Sequence, residues 1–169
     1  KKDQPQVRVD RKRKQSAIVF LMAIGMTKSE IAQAFKDYPL VLDALEKETL
    51  ETQDEALVDL YRKIRPADTP TPEAGKNLLD SFYFNTKRYD LARVGRYKIN
   101  RKLGVEADFN DRSLHQEDII ATIKYLVALH DGAATFPGKR NGEDVDLRVD
   151  VDDIDHFGNR RIRQVGELI

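Results

Sequence analysis

The residues most suited to chemistry lie together near the end of the sequence. Asp152, Asp153 and Asp155 form a D-D-x-D group, and Gly158-Asn-Arg-Arg-Ile-Arg163 follows directly. Hard cations such as Mg²⁺ prefer several carboxylate oxygens, so the acids suggest a metal site. The spacing is weak support for one, because the three arginines that follow are near enough to neutralise the acids instead. We predict no metal site and no metal-dependent nuclease here.

The arginine-rich part of this stretch is better suited to nucleic acid. Gly158-Asn159 favours a turn, and the guanidinium groups after it can bind phosphate through paired hydrogen bonds or stack on bases. The carboxylate of Asp155 can accept two hydrogen bonds from N1 and N2 of guanine. A duplex hides that edge, so the contact requires an unpaired base. The alternative is a set of solvated charges.

A second basic segment, residues 87–102, holds seven lysines and arginines against one aspartate. In a helix, offsets of three and four bring Arg93, Arg96 and Asn100 to one face. Phosphate contact by these arginines is one hypothesis, and ion pairing to the acidic parts of the chain is at least as good an explanation. The apolar residues left to pack would be Leu91, Val94 and Ile99.

Composition excludes several kinds of site. The absence of cysteine rules out disulfides, a thiolate zinc site and a cysteine nucleophile. No phosphate-binding glycine loop, dinucleotide fingerprint or nucleophile elbow occurs. No apolar run approaches the ~20 residues needed to span a bilayer, and the start lacks the apolar part of a signal peptide. We expect a cytoplasmic protein whose two ends are cut from a longer chain.

The periodicity predicts a helix-rich α+β fold. One short strand is predicted from Val7 to Asp10, and a β-hairpin within residues 134–150, where Asn141-Gly142 is typical of a type I′ turn. Helix starts are marked by residue pairs that can cap a first turn. The pairs are Thr27 with Glu30, Thr52 with Glu55, Thr71 with Pro72, and Ser113 with Gln116. A further helix is predicted to begin after Ser16, which caps it without a paired residue.

Four motifs, in this order, resemble the β subunit of bacterial RNA polymerase. They are Arg8-Val-Asp-Arg-Lys-Arg-Lys14, Leu60-Tyr-Arg-Lys-Ile-Arg-Pro66 with Pro70-Thr-Pro-Glu-Ala74, Lys87-Arg-Tyr-Asp-Leu-Ala-Arg-Val-Gly-Arg96, and the stretch from Asp152 to Arg163. Together they cover nearly the whole chain. The resemblance is to the lobe and its junction with the protrusion, which implies a lobe domain at residues 1–151 and a junction segment at residues 152–169.

The resemblance implies a parent nucleotidyltransferase that copies a DNA template into RNA from nucleoside triphosphates. Its Mg²⁺ ligands belong to the partner β′ subunit, so no catalytic residue and no cofactor is expected in this chain. The lobe of the family lies near downstream DNA and the non-template strand. Expected partners are DNA, the α, β′ and ω subunits, σ and transcription factors, with no membrane. The alternative is a protein-docking scaffold that does not itself bind DNA.

The resemblance also implies site residues. Asp10, Ile154, Asp155 and Arg160 match positions that line a pocket for an unstacked non-template guanine. The family pocket also uses a tryptophan and an arginine that precede Lys1, so this chain is expected to carry an incomplete pocket. Further DNA contacts are predicted for Arg11, Arg161 and Arg163, although the last two can instead tie the lobe to the protrusion. Phosphate contacts are predicted for Arg8, Arg93 and Arg96.

Overall fold

The computed structural model describes residues 4–9, 13–160, 162 and 164–167. In this part of the chain, helices dominate and the strands form two antiparallel pairs, so the predicted α+β class is confirmed. The helices are α1 Ala17–Ala23, α2 Lys28–Ala34, α3 Pro39–Glu46, α4 Gln53–Ile64, α5 Pro72–Leu79, α6 Ala92–Leu103 and α7 Gln116–His130. The strands are β1 Gln6–Arg8, β2 Lys14–Ser16, β3 Thr135–Arg140 and β4 Glu143–Arg148.

Local capping starts several helices where the sequence predicts it. The hydroxyl oxygens of Thr27 and Thr52 accept hydrogen bonds from the backbone of Glu30 and Glu55, and each glutamate carboxylate accepts one in return from its cap. The hydrogen bond from the Thr27 backbone lowers the pKa of Glu30. Since such bonds need only residues a few positions apart, they can be predicted from spacing alone.

The hairpin is confirmed, whereas the first strand was predicted with the wrong bounds and without its partner. Asn141 and Gly142 have positive φ angles of 55° and 79°, as a type I′ turn between β3 and β4 requires. At the front, β1 pairs with β2, with Val7 opposite Gln15. The second strand is three residues long and runs directly into α1, so its sequence has no period that distinguishes it.

Helix α1 is the most deeply buried helix of the described chain. Each of its seven residues is at most 4% exposed, and α4 packs against both α1 and α5. Among the described residues no single helix has the length and apolar character to cross a membrane. Helices α1 and α2 taken together are long and apolar enough to span a membrane, but the chain bends by 119° between them.

Two hydrophobic cores share helix α7. Ile123 and Val127 join the larger core, which surrounds α1. Tyr125 and Ala128, on another face of the same helix, join Phe136 and a leucine of the hairpin, Leu147, in the smaller core. Helix α7 therefore connects the N-terminal helices to the hairpin, and its position decides where the hairpin lies.

The position of α7 relative to α6 depends on a buried ion pair. The Nη1 atom of Arg96 lies 2.8 and 2.9 Å from the two carboxylate oxygens of Asp118, and the side chains are 0% and 1% exposed. The Nε atom of Arg96 donates to the carbonyl of Asp111 at 3.0 Å, and the Nη2 atom of Arg96 donates to the carbonyl of Ser113. Arg96 thus joins α6, α7 and the connecting loop.

The packing around this pair corrects three predictions. Arg96 was predicted to contact phosphate, but its side chain is buried and all three guanidinium nitrogens donate to protein oxygens, so that prediction is wrong. Helix α6 is rotated so that Arg96 faces inward while Val94 is 67% exposed. Helix α7 begins after His115, whose backbone N–H donates to Asp118 at 2.9 Å, and not at the predicted Ser113 cap.

The start of α6 is tied to the same loop. Arg112 Nε donates to Asp90 Oδ1 at 2.8 Å, and the Asp90 carboxylate also accepts from the Ala92 backbone at 2.7 Å. The hydrogen bonds from Arg112, and then from Ala92, lower the pKa of Asp90. Charged groups at the start and in the middle of α6 therefore hold the last residues of the connection to α7.

We expect Arg96→Met to lower the free energy of unfolding by about 3–5 kcal/mol, because it leaves the Asp118 carboxylate buried without a cation. Urea denaturation measures the loss. Arg93→Met is the matched control on the exposed side of α6, and should change stability by less than about 0.5 kcal/mol. Equal midpoints for the two variants would contradict the structural role of the pair.

We expect Gly104→Ala to be far more destabilising than Gly132→Ala. Both glycines have positive φ, 62° and 72°, so alanine costs about 1–2 kcal/mol at either site. A Cβ at Gly104 would also lie 2.5 Å from the Cα of Gly138, whereas nothing lies within 4 Å at Gly132. Thermal unfolding compares the variants, and similar Tm values would show that the hairpin is not packed tightly on α6.

Candidate nucleic-acid interface

The segment that follows β4 is attached to α6 and α7 at its start; we call residues 150–160 the junction loop. Tyr125 Oη accepts a hydrogen bond from the Asp150 backbone at 3.0 Å and lies 2.9 Å from its carbonyl oxygen, to which it donates. Lys102 Nζ lies 3.4 Å from the same carbonyl and binds the carboxylate of Asp152. The first residues of the loop are thereby fixed to two helices.

Lys102 remains charged in this setting. Partial burial lowers the pKa of Lys102, but the hydrogen bond and charge of Asp152, together with Tyr125, outweigh burial and raise it overall. A raised folded-state pKa means that this attachment is fully present below the ordinary lysine value, about 10.4. It is lost only as pH rises through the higher folded-state value.

Lys98, one helical turn before Lys102, holds the other end of the junction loop. Its Nζ donates to the carbonyl of Gly158 and, at 3.1 Å, to Oδ1 of Asn159. The Nδ2 of Asn159 donates in turn to the carbonyl of Asp153 at 2.7 Å, which closes the loop on itself. A short 3₁₀ turn, Phe157–Asn159, lies within this closure.

Held at both ends, the junction loop exposes three of the predicted site residues. Arg160 Nη1 lies 3.1 Å from Asp155 Oδ1, and the two side chains are 61% and 88% exposed. Ile154 is 80% exposed beside them, and Phe157 is 81% exposed. The structure thus brings a carboxylate, a guanidinium and two apolar side chains to one stretch of surface.

The acids of the junction loop have partners within the protein. Asp152 pairs with Lys102, Asp155 pairs with Arg160, and Asp153 accepts a hydrogen bond from the Asp155 backbone at 3.0 Å. Among the described residues, no group of three or more His, Asp or Glu side chains is arranged to hold a metal ion. Lys102 and Arg160 are the partners of Asp152 and Asp155, and a backbone N–H is the partner of Asp153.

The other predicted contacts lie elsewhere or outside the described residues. Arg8, on β1, is exposed and helps to line a basic cleft of about 430 Å³ with Arg13, Lys14 and Lys63. Arg93 is exposed on α6. The remaining predicted site residues, Asp10, Arg11, Arg161 and Arg163, lie outside the residues that the structure describes.

Sequence reasoning missed the two lysines that support the loop. Lys98 and Lys102 are four residues apart, which places them on one helical face. The acidic excess of residues 143–155 was the available signal for their partners. Lys102 pairs with the acidic segment, which is the alternative given above for the arginines of residues 87–102. Lys98 binds neutral oxygens of Gly158 and Asn159 instead.

We expect Lys102→Met to speed amide hydrogen exchange in residues 150–160 by about tenfold, because a charged hydrogen bond contributes about 1.5–3 kcal/mol when it is retained. Lys98→Met should speed amide hydrogen exchange mainly in the residues near Asn159. Arg93→Met, on the same helix, is the control and should leave exchange unchanged. Exchange rates that are the same in all three variants would mean that the lysines do not order the loop.

Comparisons with known proteins give a consistent result. The sequence model of the family RNA polymerase Rpb2, domain 2, matches residues 1–137. A DNA-directed RNA polymerase subunit beta of Bifidobacterium longum (strain DJO10A) is 99% identical over 169 residues, and one of Bifidobacterium adolescentis is 86% identical. One of Paenarthrobacter aurescens is 60% identical over 172 residues. Each match covers 100% of this chain, which spans 14–15% of these relatives.

Proposed function

The chain belongs to the RNA polymerase Rpb2 domain 2 family, and from this premise we propose that it is a DNA-contacting lobe segment of a DNA-directed RNA polymerase β subunit. In this role it helps to hold downstream DNA and the non-template strand while the whole enzyme makes RNA from nucleoside triphosphates. The α, β′ and ω subunits and σ are its partners in the cytoplasm. The catalytic Mg²⁺ belongs to the β′ subunit, and this chain supplies contacts only.

The observation that carries the proposal is the exposed Asp155–Arg160 pair on a supported loop. The two oxygens of the Asp155 carboxylate can accept N1–H and N2–H of one guanine. Adenine lacks the N1–H donor, and thymine offers a single N–H, so only guanine presents both hydrogens along one edge. In duplex DNA that edge is paired with cytosine, which restricts the contact to unpaired DNA.

The ion pair does not block this use of Asp155. Pairs between exposed side chains contribute only about 0–1 kcal/mol, because water solvates both charges nearly as well. Exchanging Arg160 for a guanine edge therefore costs little, and the released guanidinium can bind the phosphate of the same nucleotide. Ile154, directly before Asp155, offers an apolar contact for the face of the base.

A protein-docking role is the second candidate, and one observation favours it. Apolar side chains in and after the junction loop are 71–81% exposed: Val151, Ile154, Phe157, Ile162 and Val165. Covering such an apolar surface with another protein segment removes it from water, which favours binding. In this alternative, the loop docks a transcription factor or σ, and the chain alone binds no DNA.

We expect the chain to bind a fluorescein-labelled twelve-nucleotide oligothymidylate with one central guanine at least fivefold more tightly than the all-thymine strand. A bidentate contact to a base discriminates by about 1–3 kcal/mol. Asp155→Ala and Arg160→Ala should remove this preference, whereas Asp146→Ala, an exposed acid on β4, should not. Fluorescence anisotropy at two salt concentrations measures all four proteins.

Equal affinity of the unsubstituted chain for both strands would exclude guanine recognition. If no strand binds while σ still associates with the chain, the docking role is the correct one. A duplex containing the same guanine should show no preference, since its hydrogen-bonding edge is hidden.

A further inference from the structure

A groove beside the C-terminal half of α6 combines aromatic and cationic side chains. It lies between this helix, the loop after it and the hairpin turn, and has a volume of about 680 Å³. Two aromatic rings and three cations line it: Tyr97, Phe109, Arg101, Lys139 and Arg140. We call it the aromatic groove. None of these five residues takes part in the junction loop.

The two rings form an exposed platform. Tyr97 is 47% exposed and Phe109 is 50% exposed, and their centroids lie 6.2 Å apart with 36° between the planes. They touch one another and leave no slot between them, so an incoming planar group can stack only on an outer face. Exposed aromatic faces of this kind are the stacking surfaces of proteins that bind single-stranded nucleic acid.

The three cations of the groove have no acidic partner. Among the described residues, no carboxylate lies within 4 Å of the charged groups of Arg101, Lys139 or Arg140, whereas Lys102 and Arg160 are paired. Arg101 Nη1 donates instead to Tyr97 Oη at 3.1 Å, which brings its charge to the rim of the platform. These charges are available to an anion.

The walls of the groove are held in place by the protein itself. Glu106, one of two acids in the lining, accepts a hydrogen bond from the Gly142 backbone at 2.8 Å and so secures the hairpin turn. The Lys139 backbone donates to the carbonyl of Gly104 at 2.9 Å. A ligand therefore meets a preformed surface and does not have to order a loop, which favours binding.

The floor of the groove is polar. Asn100 Nδ2 donates to the carbonyl of Ala107 at 2.7 Å, and its Oδ1 is the one buried side-chain oxygen or nitrogen in the described chain without a hydrogen-bond partner.

We propose that the aromatic groove binds single-stranded nucleic acid without sequence preference. Bases stack on Tyr97 and Phe109, and phosphates contact Arg101, Lys139 and Arg140. An acidic peptide would satisfy the cations but would leave the ring faces without planar partners. Duplex DNA keeps its bases stacked on each other, so the groove selects unpaired strands. The proposal does not depend on guanine recognition by Asp155, because it uses separate residues.

Four probes of twelve units test the proposal by anisotropy: oligothymidylate, an abasic oligodeoxynucleotide, a DNA duplex and oligoglutamate. We expect oligothymidylate to bind at least tenfold more tightly than the abasic strand, because stacking needs bases. Phe109→Leu and Tyr97→Leu should each weaken oligothymidylate binding by about tenfold and leave abasic binding unchanged. Leu126→Ala, a 56% exposed side chain on α7, is the matched control.

The charges are tested separately. Lys139→Gln with Arg140→Gln should weaken oligothymidylate and abasic binding alike, and should reduce the slope of log affinity against log salt by about 1.4, since each phosphate contact contributes about 0.7. Lys36→Gln with Lys47→Gln removes two exposed charges elsewhere and should have little effect.

A tryptophan reporter distinguishes stacking from attraction at a distance. The chain contains no tryptophan, so Phe109→Trp introduces a single one, whose fluorescence should be quenched by oligothymidylate but not by oligoglutamate. Leu126→Trp should not be quenched. Equal affinities for oligothymidylate and the abasic strand would overturn the proposal, and oligoglutamate binding as tight as oligothymidylate would make the groove an acidic-peptide site. The preference for the strand with one central guanine is measured separately, so that the two proposals fail independently.

Discussion

The ion pair between Arg96 and Asp118 is the interaction on which the described surface depends. Removing two charges from water is costly, and the pair is maintained because the guanidinium also satisfies two carbonyls of the connecting loop, Asp111 and Ser113. The same carboxylate accepts the His115 backbone at the start of α7. One cluster therefore joins two helices and the loop between them. Because a broken pair would leave a charge buried, intermediate arrangements of α6 and α7 are unfavourable.

Helix α6 carries both candidate surfaces on adjacent rows of side chains. Lys98 and Lys102, four residues apart, hold the junction loop. Tyr97 and Arg101, one position earlier in each turn, border the aromatic groove. The inward side of the helix is occupied by Arg96, which prevents rotation about the helix axis without loss of the buried pair. The rigidity of α6 thus preorganises the surfaces that we propose for unpaired DNA.

Charge on this chain is used in three ways, although the net charge is +0. One arginine, Arg96, is buried as a structural link. Two lysines hold the junction loop: Lys102 through the carboxylate of Asp152, and Lys98 through neutral oxygens of Gly158 and Asn159. The cations of the aromatic groove have no acidic partner among the described residues. Composition and spacing cannot separate these uses. The cations differ only in the partners that the fold brings near them, and those partners are distant in sequence.

The sequence alone determined the fold class, the capping boxes at Thr27 and Thr52, the Asn141-Gly142 turn and the family, since each depends on residues close in sequence or on a motif. It also indicated Asp155 and Arg160 as neighbours, five residues apart. Tertiary structure decided that Arg96 faces inward, because its partner Asp118 is 22 residues away and must be desolvated with it. The same long-range packing moved the start of α7, attached Lys102 to Asp152, and assembled Tyr97, Phe109 and Lys139 from three elements.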